Sequence, residues 1–148
     1  MPEFPPGNSA ATGSAPRRER LPDTRQSITH KFNLDGHEGY VTVGLYPDGR
    51  PGELFIKMAK QGSTVSGLVD TIGVLTSLAL QYGVPPEALA HKFAYTRFEP
   101  SGWTSHPDIR RAHSIVDYIF RWMGLTFTKG FPSTPDAASV DEMGVSNE

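Results

Sequence analysis

The chain has 148 residues, of which 37% are hydrophobic and 10% aromatic, and it carries a formal net charge of −2. That length suits one domain with a single core. The charge excludes the strong positive field that holds nucleic acid or an anionic membrane. The sequence contains no cysteine, which excludes disulfides, zinc–thiolate sites, cysteine nucleophiles and thiyl radicals within it.

The two ends of the chain predict disordered segments. Residues 1–20 are rich in Pro, Gly, Ser and Ala and end in a basic arm from Arg17 to Arg20, and residues 129–148 form an acidic tail. Such segments bury too little apolar area to offset their ordering entropy. The first residues lack a basic start followed by an apolar stretch. No secretory signal is therefore expected, and a cytoplasmic location is the expectation. The domain is predicted at residues 21–128.

Three strands are predicted at the start of the domain. Apolar and polar residues alternate in RQSITHKFNL, EGYVTVGLY and ELFIKMA, which is the period of half-buried strands. Turn signals at Asp35-Gly36 and in PDGRPG separate the three segments. Because the connections are short, an antiparallel meander is expected.

A long helix is predicted next, with Ser63 or Thr64 as its N-cap and Gly83 as its C-terminal stop. Its apolar residues recur at three- and four-residue steps and predict one broad core-facing side; they are Val65, Leu68, Val69, Ile72, Leu75, Ala79 and Tyr82. Longer apolar runs such as 72–80 are too short for a membrane span.

Two further helices are expected. PEALAHKFA predicts a short one, opened by proline. A third is predicted to begin after TSH, with Pro107 and Asp108 in its first turn, and to end at Gly124. The predicted fold is therefore α+β, with a three-stranded antiparallel sheet followed by three helices packed on one face. Exposed edges of such a sheet would also allow homodimerisation.

The turn between the third strand and the long helix raises the question of a phosphate site. It lacks the spacing of a phosphate loop and of a dinucleotide fingerprint. What remains is an anion site at a helix N-terminus, with the candidate residues Lys57, Lys60, Gly62, Ser63 and Thr64. The alternative is a plain strand-to-helix connection, in which Gly62 allows the turn and a hydroxyl caps the helix.

No catalytic or metal site is predicted. The five histidines show no pair four residues apart on a helix. No two carboxylates are singled out as acid and base. Asp117 and Arg121 lie four residues apart and predict a surface ion pair.

Aromatic and basic side chains are concentrated between residues 92 and 120. Rings and guanidinium groups together are typical of recognition surfaces. The candidate partner-binding residues are Phe98, Trp103, His106, Arg110 and Arg111. The alternative is that the rings cover the end of the core while the arginines face water. The net charge argues against nucleic acid as the partner.

A series of segments closely resembles one family. RLPDTRQSITHKF, GHEGYVTVGLYPDGRPGELFIKMAKQGSTVSGL, SLALQYGVPPEAL, KFAYTRFEPSGWTSHPDI and SIVDYIFRWMGL follow one another in the order found at the C-terminal end of adenosylcobalamin-dependent (class II) ribonucleotide reductases. That region holds the TSCPD domain. The resemblance covers about Arg18 to Phe127. The motif that gives the domain its name here reads Thr-Ser-His-Pro-Asp, with His106 in the place of cysteine.

The resemblance implies a part in ribonucleotide reduction. In the family, an upstream barrel carries the radical cysteine, the reducing cysteine pair and the cobalamin and substrate sites. Without any cysteine, this chain is not expected to reduce ribonucleotides alone or to bind a cofactor. Adenosylcobalamin is expected only in the family's catalytic domain.

Two main hypotheses follow. In the first, the chain is a stand-alone accessory subunit or modulator that binds a ribonucleotide reductase catalytic chain. In the second, it is a sensor that binds a nucleotide or anion without catalysis. An enzyme that reused the fold ranks last, because no nucleophile–base set is visible.

Overall fold

Five strands and three helices make up the part of the chain that the computed structural model describes, residues 15–132. In chain order they are β1 (Ser27–Leu34), β2 (His37–Leu45), β3 (Pro51–Met58), α1 (Ser63–Gln81), α2 (Pro86–Phe93), β4 (Gly102–His106), β5 (Ile109–Ala112) and α3 (Ile115–Phe127). Most of the predicted disordered arm and tail, residues 1–14 and 133–148, lies outside the described residues.

The sheet is antiparallel and has the strand order β3-β2-β1-β4-β5. The α+β class and the meander of β1, β2 and β3 are confirmed, but the prediction of three strands was wrong. β4 and β5 are only five and four residues long and carry mostly polar side chains, so their sequence has no clear strand period. β4 joins the end of β1 through the pair Leu34–Thr104.

The start of the third helix was also predicted wrongly. Pro107 and Asp108 form the turn between β4 and β5 and not a first helical turn. α3 begins at Ile115 with Ser114 as its N-cap, and it continues through Gly124 to Phe127. A proline followed by an acid is typical of turns as well as of helix starts, so the local pattern did not separate the two.

The core lies on one face of the sheet. Alternate residues of the first three strands are buried there together with α3 and part of α1; they include Phe32, Leu34, Val41, Val43, Leu54 and Ile56. The opposite face leaves Tyr40 and Phe55 about half exposed. Strand periodicity therefore predicted the two faces of β1, β2 and β3 correctly.

Helix α1 lies along the edge of β3. The Ser77 hydroxyl accepts the Leu54 backbone N–H at 2.8 Å and donates to the Gly73 carbonyl at 2.8 Å. A Cβ atom at Gly73 would lie 2.9 Å from the Leu54 carbonyl oxygen, so the glycine permits this close approach. The edge of β3 that the sequence left open for homodimerisation is thus occupied at its centre by α1.

The predicted core-facing side of α1 was largely wrong. The buried residues are Val69, Gly73, Thr76, Leu80 and Gln81, whereas most of the predicted apolar side remains exposed. The N-cap is Gly62, with no side-chain cap, and not Ser63 or Thr64. By length and composition alone, α1 also reaches the size of a membrane-crossing helix, contrary to the expectation from shorter apolar runs.

Candidate functional site

The Thr-Ser-His-Pro-Asp motif forms the turn of the β4–β5 hairpin. The Thr104 hydroxyl donates to the Ile109 carbonyl and accepts the His106 backbone N–H. The Asp108 backbone N–H donates to Nδ1 of His106 at 3.0 Å. Because Nδ1 accepts, the neutral His106 ring carries its hydrogen on Nε2. The motif therefore fixes its own turn and the tautomer of His106.

His106 lies against an aromatic cluster that joins β1 to α3. The ring centroids of His106 and His30 are 5.7 Å apart, and Trp122 stacks on His30 at 5.0 Å. Nε2 of His30 and the Tyr118 hydroxyl are hydrogen-bonded at 2.8 Å. Strand β1, the motif turn and α3 each supply rings to this cluster, so it fastens the hairpin to the rest of the domain.

The cluster favours the uncharged forms of its titratable groups. Burial lowers the pKa of His30, and the neighbouring His106 lowers it further. Burial also lowers the pKa of His106, while Asp108 opposes that shift. Burial raises the pKa of the Tyr118 hydroxyl. Desolvation favours the neutral form of each group. Residues 15–132 hold no group of three or more His, Cys, Asp or Glu placed to share a metal ion.

Three of the five residues predicted to bind a partner lie on the exposed side of the hairpin, namely Trp103, Arg110 and Arg111. Trp103 is 69% exposed and lies opposite Arg111, whose guanidinium carbon is 5.9 Å from the indole. Phe98 is also exposed, and its backbone N–H donates to the His113 carbonyl at the end of β5. Arg110 is exposed on β5. His106 differs from the other four, since it is partly buried in the aromatic cluster.

A buried ion pair lies beneath the β4–β5 hairpin. The sequence predicted this pair at the surface, and that prediction was wrong. Asp117 and Arg121 have fully buried side chains and form two hydrogen bonds of 2.8 Å. The Asp117 carboxylate also accepts the backbone N–H groups of Tyr95 and His113 at 2.6 and 2.7 Å. Nη2 of Arg121 donates to the Arg111 carbonyl on β5. The pair thus holds three segments together.

One sequence signal could have revealed this pair. Ser114 and Asp117 have the Ser-x-x-Asp spacing of a capping box. In the structure the Ser114 hydroxyl accepts the Asp117 backbone N–H at 2.9 Å and donates to the Thr96 carbonyl. A carboxylate in that role points back over the helix start and not into solvent. The signal was missed because the helix was expected to begin earlier.

The candidate anion residues lie in different settings. Lys57 lines a groove of about 490 Å³ on the outer sheet face, together with Tyr40, Phe55 and Asp70. Lys60 has a positive φ of 55° and lines another groove with Asn33 and Glu38. Gly62, Ser63 and Thr64 form the exposed start of α1. An anion site built from all five residues stays a prediction.

Comparisons with known proteins give a consistent result. Residues 11–127 match the family described as the TSCPD domain. The chain is 61% identical over 129 residues to the vitamin B12-dependent ribonucleotide reductase of Rhodopirellula baltica. The matched region makes up 87% of this chain and 12% of that protein. Proteins of the same name match at 53% identity in Streptomyces avermitilis and 41% in Bradyrhizobium diazoefficiens, over 76% and 84% of the chain.

The chain therefore spans only a small part of the length of the relatives it matches. Its share is 10% of the Bradyrhizobium diazoefficiens protein, 12% of the Rhodopirellula baltica protein and 19% of the protein from Streptantibioticus cattleyicolor. No solved structure matches the chain. The family match covers more than half of the chain and includes every helix and strand described above. The chain belongs to the TSCPD domain family, in the form found in vitamin B12-dependent ribonucleotide reductases.

Proposed function

We propose that the chain is an accessory domain of ribonucleotide reduction that works by binding the catalytic part of a vitamin B12-dependent reductase. The observation that carries this proposal is the exposed Trp103–Arg111 pair on the β4–β5 hairpin. Tryptophan and arginine dominate the energetic centres of protein interfaces. Here both are mounted on a hairpin that the Asp117–Arg121 pair and the aromatic cluster hold rigid. A rigid anchor loses little entropy on binding.

The role assigned to the chain is binding and not catalysis. When bound, adenosylcobalamin supplies radical chemistry, and in the resembled family that radical is passed to a thiol. The 148 residues contain no thiol to receive it, and the described histidines near the motif are packed against rings. We therefore assign the cofactor to the rest of the reductase. A cytoplasmic location follows from the same proposal.

The test uses a reductase from which the region matching this chain has been removed. Isothermal titration should show that the chain binds this truncated reductase. The variant Trp103→Ala should weaken binding at least about tenfold, since interface tryptophans commonly contribute that much. Phe55→Ala is the matched control, because Phe55 is 56% exposed but lies on the outer sheet face. No binding, or equal losses in both variants, would contradict the proposal.

A second candidate function is nucleotide binding, which the outer sheet face favours over the start of α1. Tyr40 pairs across the sheet with Lys31 on one side and Lys57 on the other. Exposed Phe55 lies diagonally beside Tyr40, and Arg18 lines the same groove. Rings that stack on a base next to cations that attract phosphate are the elements of a nucleotide site.

Titration of the chain with dATP tests this candidate. Saturable binding that is lost in Lys57→Ala and in Phe55→Ala would support it. Lys92→Ala is the control, since Lys92 is an exposed cation at the end of α2. Binding that Lys92→Ala weakens as much as Lys57→Ala would show only general charge attraction.

A further inference from the structure

Helix α1 carries an apolar stripe that the described part of the chain covers only in part. We call it the α1 seam; it consists of Val65, Leu68, Ile72, Leu75, Ala79 and Tyr82. These residues alternate at steps of three and four, which is the a/d spacing of helices that pair as coiled coils. Ile72 and Ala79 are half-buried, whereas the other four are exposed, and Leu68 and Leu75 are each 61% exposed. The seam therefore has the pattern of a helix interface without a partner helix.

The residues that bury α1 in its own domain form a separate ridge. Val69, Gly73, Thr76 and Leu80 are buried, and the contact of Gly73 with Leu54 shows that this ridge faces β3. The core therefore uses one side of α1 and, apart from a partial contact with Ile72, leaves the seam open. An apolar side that folding does not require is usually an interaction site.

The seam borders a groove that can receive a helix. The groove has a volume of about 390 Å³ and is lined almost entirely by apolar atoms. One wall is the seam, and the other wall is formed by α2 and α3 through Leu89, Phe93, Val116 and Phe120. Each molecule thus offers both a row of protruding leucines and a recess beside it. Such a surface can pair with itself, as a two-fold interface requires.

The polar groups of α1 are compatible with a dry interface. The hydroxyls of Thr71 and Thr76 donate to carbonyls of the preceding turn, each at 2.8 Å. The helix carries a single charged residue, Asp70, and Asp70 lines the groove on the outer sheet face. Two seams can therefore meet without burying a charge or an unpaired threonine hydroxyl, and α1 offers no charged side chain on the seam to attract a charged partner.

From this geometry we infer that two copies of the chain pair through their α1 seams, with the helices antiparallel. The antiparallel arrangement places Leu68 opposite Ala79 and Val65 opposite Tyr82, so the two outer layers combine a larger with a smaller side chain. The central layer pairs Ile72 with Leu75. A parallel pair would place Ala79 against Ala79 and Tyr82 against Tyr82. Antiparallel packing also opposes the two helix dipoles. This inference is independent of the proposed function.

The first test is the oligomeric state of the full chain, measured by analytical ultracentrifugation from about 1 to about 500 µM. A dimer is expected. Leu75→Glu should raise its dissociation constant by at least about a hundredfold, because the symmetric pair loses two buried leucines. Val74→Glu is the matched control, since Val74 is 59% exposed on the same helix but lines the outer groove. That variant should keep the wild-type constant.

The second test is disulfide cross-linking. Because the chain has no cysteine of its own, any disulfide that forms must join the introduced cysteines. The two ends of the seam are about 25 Å apart along one helix, so they cannot bond within a chain. Under mild oxidation, Val65→Cys combined with Tyr82→Cys should give a covalent dimer. Either substitution alone should give none.

Several outcomes would overturn the inference. They are a monomer at every concentration, a dimer that Leu75→Glu leaves intact, or a covalent dimer from Val65→Cys alone. A monomer whose Leu75→Glu variant loses affinity for the truncated reductase would assign the seam to the catalytic chain. A monomer that binds neutral phospholipid vesicles through Leu75 would assign it to a membrane surface.

Discussion

At the residue scale, the Asp117–Arg121 pair is the most constrained feature near the motif. Both side chains are fully buried, and the carboxylate receives four hydrogen bonds from three segments of the chain. Burying two charges is costly, and the geometry offsets that cost only while every partner is present. Loss of one member leaves the other as an uncompensated charge in the core.

The change Asp117→Ala should therefore lower the free energy of unfolding by about 3–5 kcal/mol. Urea denaturation followed by tryptophan fluorescence measures this loss. Asp70→Ala is the control, because Asp70 is exposed, and it should stay within about 0.5 kcal/mol of wild type. If Asp117→Ala does not fold, Asp117→Ala with Arg121→Met should recover the part of the loss that comes from the uncompensated charge of Arg121. It should not recover the hydrogen bonds that the carboxylate accepts from the backbone. A wild-type midpoint for Asp117→Ala would refute the assigned role.

The histidines of the aromatic cluster predict a pH dependence of stability. Folding lowers the pKa of His30 and of His106 from the ordinary 6.5. Below that value the unfolded chain binds more protons than the folded chain, so acidification favours unfolding. The stability contributed by these neutral histidines is complete above the unfolded pKa. It is lost as the pH falls below 6.5 towards the folded values.

The urea midpoint of the wild type should therefore fall between about pH 7.5 and about pH 5. The variant His30→Gln should show a smaller fall over the same interval, because glutamine keeps a polar group near Tyr118 but does not titrate. Parallel denaturation series at the two pH values measure both slopes. Equal slopes for the variant and the wild type would show that His30 contributes nothing to the pH dependence.

At the element scale, α1 contains two glycines in different surroundings. Gly73 allows the helix to approach the edge of β3, and an added Cβ would meet the Leu54 carbonyl at 2.9 Å. Gly67 is on the same helix, and an added Cβ there would meet nothing within 4 Å. An alanine at Gly67 therefore changes helix propensity alone, whereas an alanine at Gly73 also changes the packing of α1 on β3.

Gly67→Ala should stabilise the domain by about 0.5–1 kcal/mol, because alanine restricts the unfolded chain and favours helix. Gly73→Ala should instead destabilise it by about 1–3 kcal/mol, since the helix must move away from β3. Thermal unfolding followed by circular dichroism measures both changes. Stabilisation by Gly73→Ala would mean that α1 is not held as closely to β3 as the structure shows.

At the scale of the whole molecule, the packed domain continues past α3. Phe131 is buried, its ring lies on Gly124, and it contacts the ring of His91 on α2. The predicted domain, residues 21–128, ends three residues before this side chain. Residues near the start of the described chain also join the domain, since the Glu19 backbone N–H donates to the Gln81 carbonyl and its own carbonyl accepts the Tyr46 hydroxyl.

A chain that ends after Thr128 should therefore be less stable than one that ends after Pro132, by about 2–4 kcal/mol. The point variant Phe131→Ala in the full chain should show a loss of similar size, which separates the ring from the effect of chain length. Urea denaturation of the three proteins provides the comparison. A wild-type midpoint for Phe131→Ala would show that the ring does not stabilise the domain.

The sequence by itself determined the features that depend on local periodicity. The first three strands, their buried faces and the three helices follow from apolar spacing, because neighbouring side chains on a strand or helix alternate at a fixed period. The missing cysteine and the run of matching segments likewise indicated the family and the absence of thiol chemistry from the chain.

Only the tertiary structure decided which surfaces those elements bury. The apolar side of α1 looked like a core face, but contact with β3 selected a ridge with small residues instead. Asp117 and Arg121 had the spacing of an exposed pair, yet the β4–β5 hairpin covers them. Sequence periodicity indicates whether one side of a helix or strand is apolar or charged. Whether that side is buried depends on segments distant in the chain, which periodicity does not record.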